Sequence, residues 1–133
     1  MQKRFEPIKD RAYEILDFIM GVPEIPSDEG VQFKVRLCSE EAVANIVEYA
    51  YQDGNGFLEV STASEDGSFV ITLKDGGIPF DPLANPEPDI TLSAEERQIG
   101  GLGIFLCKQM MDEVGYAYQD GCNVLTMKIN YQH

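Results

Sequence analysis

Three groups of residues in this chain have the types and spacing to do chemistry. Glu41 and Asn45 stand four apart in Glu41-Ala-Val-Ala-Asn45, a spacing that puts a carboxylate and an amide on one face of a helix. There the glutamate can accept a proton, and the asparagine oxygen can coordinate Mg2+, a cation that takes oxygen ligands and keeps several waters. The second group is Asp75-Gly-Gly-Ile-Pro-Phe-Asp81, directly after an apolar extended run. An aspartate at a strand end can accept from an exocyclic amine such as that of adenine, while Gly77 lets the backbone approach a flat ring. The third is Gly100-Gly101-Leu102-Gly103 ahead of a helical pattern, where outward-pointing N–H groups and the helix dipole can bind phosphate. Each group alone also fits a plain structural role: a solvated helix face, an ordinary turn, a tightly packed helix start.

Charge narrows the partners. The 133 residues hold 10 Lys and Arg against 23 Asp and Glu, a formal net charge of -13, yet hydrophobic residues make up 44%. Such a chain folds rather than forming an acidic tail, and it repels nucleic acid and anionic membrane. An anionic ligand must then be held by backbone donors or a bound metal. The longest run without a charge is the ten residues Gln98 to Cys107, far short of the roughly 18 that span a bilayer. Two cations near Met1 are followed by no apolar run, so no secretory signal is expected. Cys38, Cys107 and Cys122 show no CxxC spacing and read as reduced thiols of a cytoplasmic protein. The single histidine, His133, leaves no basis for a histidine metal site or a Ser-His-Asp triad. The Walker pattern and the HRD and DFG kinase signatures are also missing from the chain.

The elements that must position these groups follow from periodicity. Ile8, Ala12, Ile15, Leu16 and Ile19 form a helical stripe that Gly21 and Pro23 end. With Ser27 as its cap, a long helix runs to about Tyr51 with Val31, Val35, Cys38, Ala42, Ile46 and Tyr49 on one stripe. Extended runs over 57–63 and 68–74 flank Asp66-Gly67, and runs over 115–119 and 123–130 flank Asp120-Gly121, both strong hairpin signals. Between them, residues from about 82 to 99 hold Pro82, Pro86 and Pro88 and no periodicity, a loop length usually reserved for function. Gly100 to Gly103 open a third helix containing Ile104, Phe105, Cys107 and Met111. The chain therefore reads as one two-layer domain over 1–133, an antiparallel sheet with three helices on one face.

Taken together and in this order, the three groups resemble the GHKL (histidine-kinase-like) ATPase superfamily, and most closely the bacterial anti-sigma-factor serine kinases of the RsbW and SpoIIAB type. Ser39-Glu-Glu-Ala-Val-Ala-Asn45 is similar to the family's N box, Lys74-Asp-Gly-Gly-Ile-Pro-Phe-Asp81 to its first glycine box, and the stretch from Gly100 to Val114 to its second. The resemblance implies the Bergerat fold: an α+β two-layer sandwich whose mixed, mainly antiparallel sheet is covered on one face by three helices. It implies ATP and Mg2+ as cofactors, Glu41 as general base, Asn45 as the Mg2+ ligand, Asp75 and Gly77 at the adenine, and Gly101 and Gly103 at the phosphates. Residues 82–99 would be the ATP lid, and Thr126 would stand near the adenine-binding aspartate. The implied function is a protein serine kinase of a partner-switching module, with a STAS-domain anti-anti-sigma factor as substrate and a sigma factor as second partner. The family's N-terminal strand is reduced here to a few residues around Lys3 to Glu6. Where kinases of the family carry an Arg just before the second glycine box, this chain has Gln98 and Ile99, with Arg97 the nearest cation. That departure keeps open a second reading, an ATP-binding module that sequesters a partner without phosphorylating it.

Strand alternation adds one expectation. If Thr126 faces the helices and the nucleotide, Leu125, Met127 and Ile129 face away. They would then form an apolar patch on the open sheet face, available to a homodimer or to another protein.

Overall fold

Helix α1 spans Ala12–Met20 and buries Ile15, Leu16 and Ile19, the stripe expected of it. It stops where the Gly21 N–H bonds the carbonyls of Asp17 and Phe18. Helix α2 spans Glu29–Tyr49. Its start is capped by Asp28, whose Oδ1 accepts the Val31 N–H at 3.0 Å, and not by Ser27. A carboxylate there satisfies an orphan donor and also meets the positive end of the helix dipole. The computed structural model describes residues 1–49, 51, 56–79 and 107–131. The segment expected to form a lid, 82–99, and the glycine-rich helix start at 100–103 lie outside the described residues.

Five strands follow the two turn signals: β1 (Gln2–Phe5), β2 (Leu58–Glu65), β3 (Ser68–Asp75), β4 (Glu113–Gln119) and β5 (Cys122–Asn130). They lie in one sheet in the order β1-β2-β3-β5-β4, and all four described pairings are antiparallel. At both hairpins the turn pairs Asp66-Gly67 and Asp120-Gly121 have positive φ. That conformation matches the twist of the flanking strands and favours an Asp-Gly pair. The short N-terminal strand is real: β1 pairs with β2 from Gln2↔Ser61 to Phe5↔Leu58.

One core joins the layers. It takes Ile15 and Ile19 from α1, and Val35, Cys38, Ala42 and Val43 from α2. The sheet contributes Leu58, Val60, Phe69, Ile71, Leu73, Leu125, Met127 and Ile129. These β5 residues overturn the alternation expected above: Leu125, Met127 and Ile129 are packed into the core, and Thr126 points to the other sheet face. Its register partners are Thr72 on β3 and Gly115 on β4, so no apolar patch forms from those three residues. The physical reason is the pleat. With a period of two residues, the large apolar side chains of β5 take the face that removes most area from water, and Thr126 receives the alternate one.

Candidate functional site

Asp75 ends β3, and its side of the strand is the core side, so a carboxylate is buried at the end of the sheet's central strand with only 3% of its surface exposed. Its Oδ1 accepts two hydrogen bonds, from the Gly77 N–H at 2.9 Å and from Asn123 Nδ2 at 3.0 Å. Among the described residues no donor reaches Oδ2. Burial raises the carboxyl pKa above its ordinary value, and the Asn123 and Gly77 bonds oppose that rise. One oxygen is thus fixed by Gly77 and Asn123, while the other is an open acceptor among the described residues.

Asn123 is the residue that the sequence reading missed. It stands opposite Asp75 in the β3–β5 register, donates a second bond to the Ile78 carbonyl at 2.8 Å, and accepts at Oδ1 from the Tyr116 hydroxyl. The Ile78 carbonyl can only accept, so it fixes the amide with Nδ2 towards Ile78 and Asp75 and leaves Oδ1 to the Tyr116 hydroxyl. The signal was present: stepping back by two from Leu125, Met127 and Ile129 lands on Asn123, a polar residue on a buried face. Thr126, expected near the aspartate, lies on the opposite face of β5 from Asn123 and pairs with Thr72.

Tyr51 joins the end of the α2 segment to this turn. Its hydroxyl accepts the Gly76 N–H at 2.7 Å and the Phe57 N–H at 3.2 Å, and donates to the Phe57 carbonyl at 2.8 Å. Burial raises the phenol pKa above its usual value, with the nearby Asp75 carboxylate adding to the rise and the Gly76 and Phe57 backbone bonds opposing it.

On α2, Glu41 and Asn45 are both half-buried. The Asn45 Nδ2 is buried with no hydrogen-bond partner among the described residues, a state that costs about 1–3 kcal/mol unless a ligand or water fills it. The same is true of the Ser39 hydroxyl. The Cys107 thiol donates to the Cys38 carbonyl at 3.7 Å, which sets the helical turn after the glycine-rich segment against α2, three residues before Glu41. The contact with Cys38, followed by burial, holds the Cys107 thiol protonated well above its ordinary range. Gly101, Gly103 and Arg97 lie outside the described residues.

The arrangement offers a buried acceptor at Asp75 for an amine and, at Asn45, an amide whose oxygen can hold a divalent cation while its idle N–H can donate to a phosphate oxygen. Among the described residues no group of three His, Cys, Asp or Glu could hold a metal alone. A family model described as the histidine kinase-like ATPase domain matches residues 8–129.

The chain belongs to that family.

Among its relatives, the serine/threonine-protein kinase BtrW of Bordetella bronchiseptica is 29% identical over 98 residues, covering 73% of this chain and 69% of BtrW. The serine-protein kinase RsbW of Listeria monocytogenes is 28% identical over 99 residues, covering 71% of this chain and 63% of RsbW. The match to RsbW thus spans less than two thirds of that protein. In three dimensions the catalytic domain of the histidine kinase ThkA aligns with a TM-score of 0.59 at 10% identity, over 98% of this chain and 97% of that one. The histidine kinase AdeS of Acinetobacter baumannii aligns with a TM-score of 0.55 at 13% identity, over 100% of this chain and 68% of that one. At these identities the two structures show the fold: this histidine-kinase-like ATPase domain has the α+β architecture of kinase catalytic domains. No helix among the described residues is long and apolar enough to cross a membrane.

Proposed function

We propose that this domain is an ATP- and Mg2+-dependent protein serine kinase, acting as an anti-sigma factor that phosphorylates a STAS-domain anti-anti-sigma factor in a partner-switching module. The observation that carries the nucleotide reading is the Asp75 carboxylate, buried at a strand end with Oδ1 fixed by Asn123 and Gly77 and Oδ2 without a donor among the described residues. An ionised acceptor held in that way discriminates for an amine donor, as the adenine edge presents. When bound, ATP supplies the transferable phosphoryl group and Mg2+ neutralises its charge.

The remaining chemistry falls to few residues. Asn45 would hold the cation through its side-chain oxygen, leaving its Nδ2, without a partner among the described residues, able to donate to a phosphate oxygen. The Glu41 carboxylate accepts the proton of the attacking serine hydroxyl, one helical turn from Asn45 on the same face. Gly77 keeps the backbone close to the base, and Gly101 and Gly103 offer backbone donors to the phosphates. Phosphoryl transfer depends mostly on positioning and charge stabilisation, so this set suffices. The serine-kinase names of BtrW and RsbW support transfer to a protein hydroxyl over transfer to histidine. We place the protein in the cytoplasm, where its thiols stay reduced and its substrate and sigma factor reside.

The test pairs binding with transfer. Calorimetry with ATP, with and without Mg2+, should show tight Mg2+-sensitive binding by the wild type. Glu41→Gln should retain that binding and lose radiolabel transfer from ATP to a serine of the co-purified partner. Binding without transfer by the wild type would favour the second reading, a sequestering module, for which the Gln98-Ile99 departure before the second glycine box speaks.

A further inference from the structure

Tyr51 is used by nothing in the scheme above, yet its hydroxyl makes three hydrogen bonds at the edge of the site. Two go to one residue, Phe57, at its N–H and its carbonyl. The third, from the Gly76 N–H at 2.7 Å, falls on the residue between Asp75 and Gly77. Gly77 in turn donates to Asp75 Oδ1. The tyrosine follows α2 by two residues, and α2 carries Glu41 and Asn45. A single side chain therefore ties the segment that ends the Glu41–Asn45 helix to the turn that orients the Asp75 carboxylate.

The surroundings are shaped for that ring. A Cβ placed on Gly56 would lie 2.0 Å from Tyr51 Cζ, inside the ring's own volume, so only glycine leaves the space that the ring fills. A Cβ on Gly76 would lie 2.8 Å from the Phe57 ring and 3.5 Å from the Tyr51 hydroxyl oxygen. Both glycines allow the close approach of backbone to aromatic rings. Phe57 is held from its other side by the Arg4 guanidinium, 3.9 Å from its ring centroid.

We infer that Tyr51 is a positioning residue for base recognition: its hydroxyl holds the Asp75-Gly76-Gly77 turn so that Asp75 Oδ2, the oxygen that Gly77 and Asn123 do not use, faces the base. The inference rests on the nucleotide reading proposed above and deepens it. Without the hydroxyl, the Gly76 N–H turns to water, the turn gains freedom, and each binding event must first restore the Asp75 orientation. That cost falls on ligands that carry the base and spares those that carry only phosphates.

The experiment compares ATP, adenosine and Mg2+-tripolyphosphate on the wild type, Tyr51→Phe, Gly56→Ala and Asp75→Asn. Tyr51→Phe should weaken ATP and adenosine by a common factor of about five to ten, the worth of one net hydrogen bond, and leave tripolyphosphate unchanged. Gly56→Ala, by displacing the ring, should reproduce the pattern. Equal weakening of all three ligands would overturn the inference, because the tyrosine would then support the fold as a whole. So would unchanged ATP affinity in Tyr51→Phe while Asp75→Asn loses it. Failure of the wild type to bind ATP would reject the nucleotide reading instead, and the positioning role is then read from amide exchange without ligand. Faster exchange at Gly77 in Tyr51→Phe supports it, and unchanged exchange overturns it.

Discussion

Substituting Asp75 by asparagine perturbs one atom, and the structure determines which. The Gly77 N–H and Asn123 Nδ2 both point at Oδ1, and Asn123 cannot turn its amide because its Nδ2 also donates to the Ile78 carbonyl, which can only accept. An asparagine at 75 must therefore present its oxygen to those two donors, since its own NH2 there would set three donors against one another. Its NH2 then takes the place of Oδ2 and faces the ligand as a donor. Losing a hydrogen bond to an ionised acceptor costs about 1.5–3 kcal/mol, and each 1.4 kcal/mol is about tenfold in affinity. The dissociation constant for ATP should rise about ten- to a hundredfold. Inosine triphosphate carries a carbonyl where adenine carries the amine, so it meets a carboxylate in the wild type and a donor in the variant. The preference for ATP over inosine triphosphate should narrow or invert in Asp75→Asn.

The pH dependence follows from the same carboxyl. Burial raises its pKa in the folded state, so the fold takes up this proton at a higher pH than the unfolded chain does. The associated stability is fully present below the unfolded value and is lost as pH rises through the folded one. Binding of the amine needs the ionised form and moves the opposite way, weakening as pH falls through the folded value. Asp75→Asn should flatten both profiles. Competition calorimetry with the two nucleotides between pH 5 and pH 8, roughly the range in which folded proteins are most stable, measures the effect. An ATP affinity within about twofold of wild type, or an unchanged ATP-to-inosine preference, would refute the reasoning, because a change of 1.4 kcal/mol already amounts to tenfold.

Two more substitutions test where the structure departs from the sequence reading. Thr126→Val, on the open sheet face, should leave ATP affinity unchanged and shift stability by less than about 0.5 kcal/mol. Met127→Ala, one residue on but fully buried, should cost about 2–5 kcal/mol in urea unfolding. At the start of α2, Asp28→Ala should cost about 1 kcal/mol through loss of its bond to the Val31 N–H, whereas Ser27→Ala should be neutral in the same assay.

Local chemistry made much of this protein legible from its residues alone. The Asp66-Gly67 and Asp120-Gly121 pairs marked two hairpins because few other pairs accept positive φ twice in succession. The α1 stripe announced its buried face, since the 3.6-residue period records which residues share a side. Glu41, Asn45, Asp75 and the glycines stood out because their order and spacing together resemble one family, and the match over residues 8–129 agrees.

What only the tertiary structure decided was the partnership of distant residues. Whether Thr126 or Asn123 meets Asp75 depends on the register of β5 against β3, and a shift by one residue exchanges every side chain between faces. Sequence periodicity says that 125, 127 and 129 agree with one another; it does not say to which layer they turn. The Tyr51 hydroxyl on Gly76 is of the same kind: it joins a donor and an acceptor 25 residues apart whose meeting depends on the path of the backbone. Burial periodicity is written along one chain segment, but hydrogen-bond pairing between segments is settled only when the helices and the sheet close on a shared core.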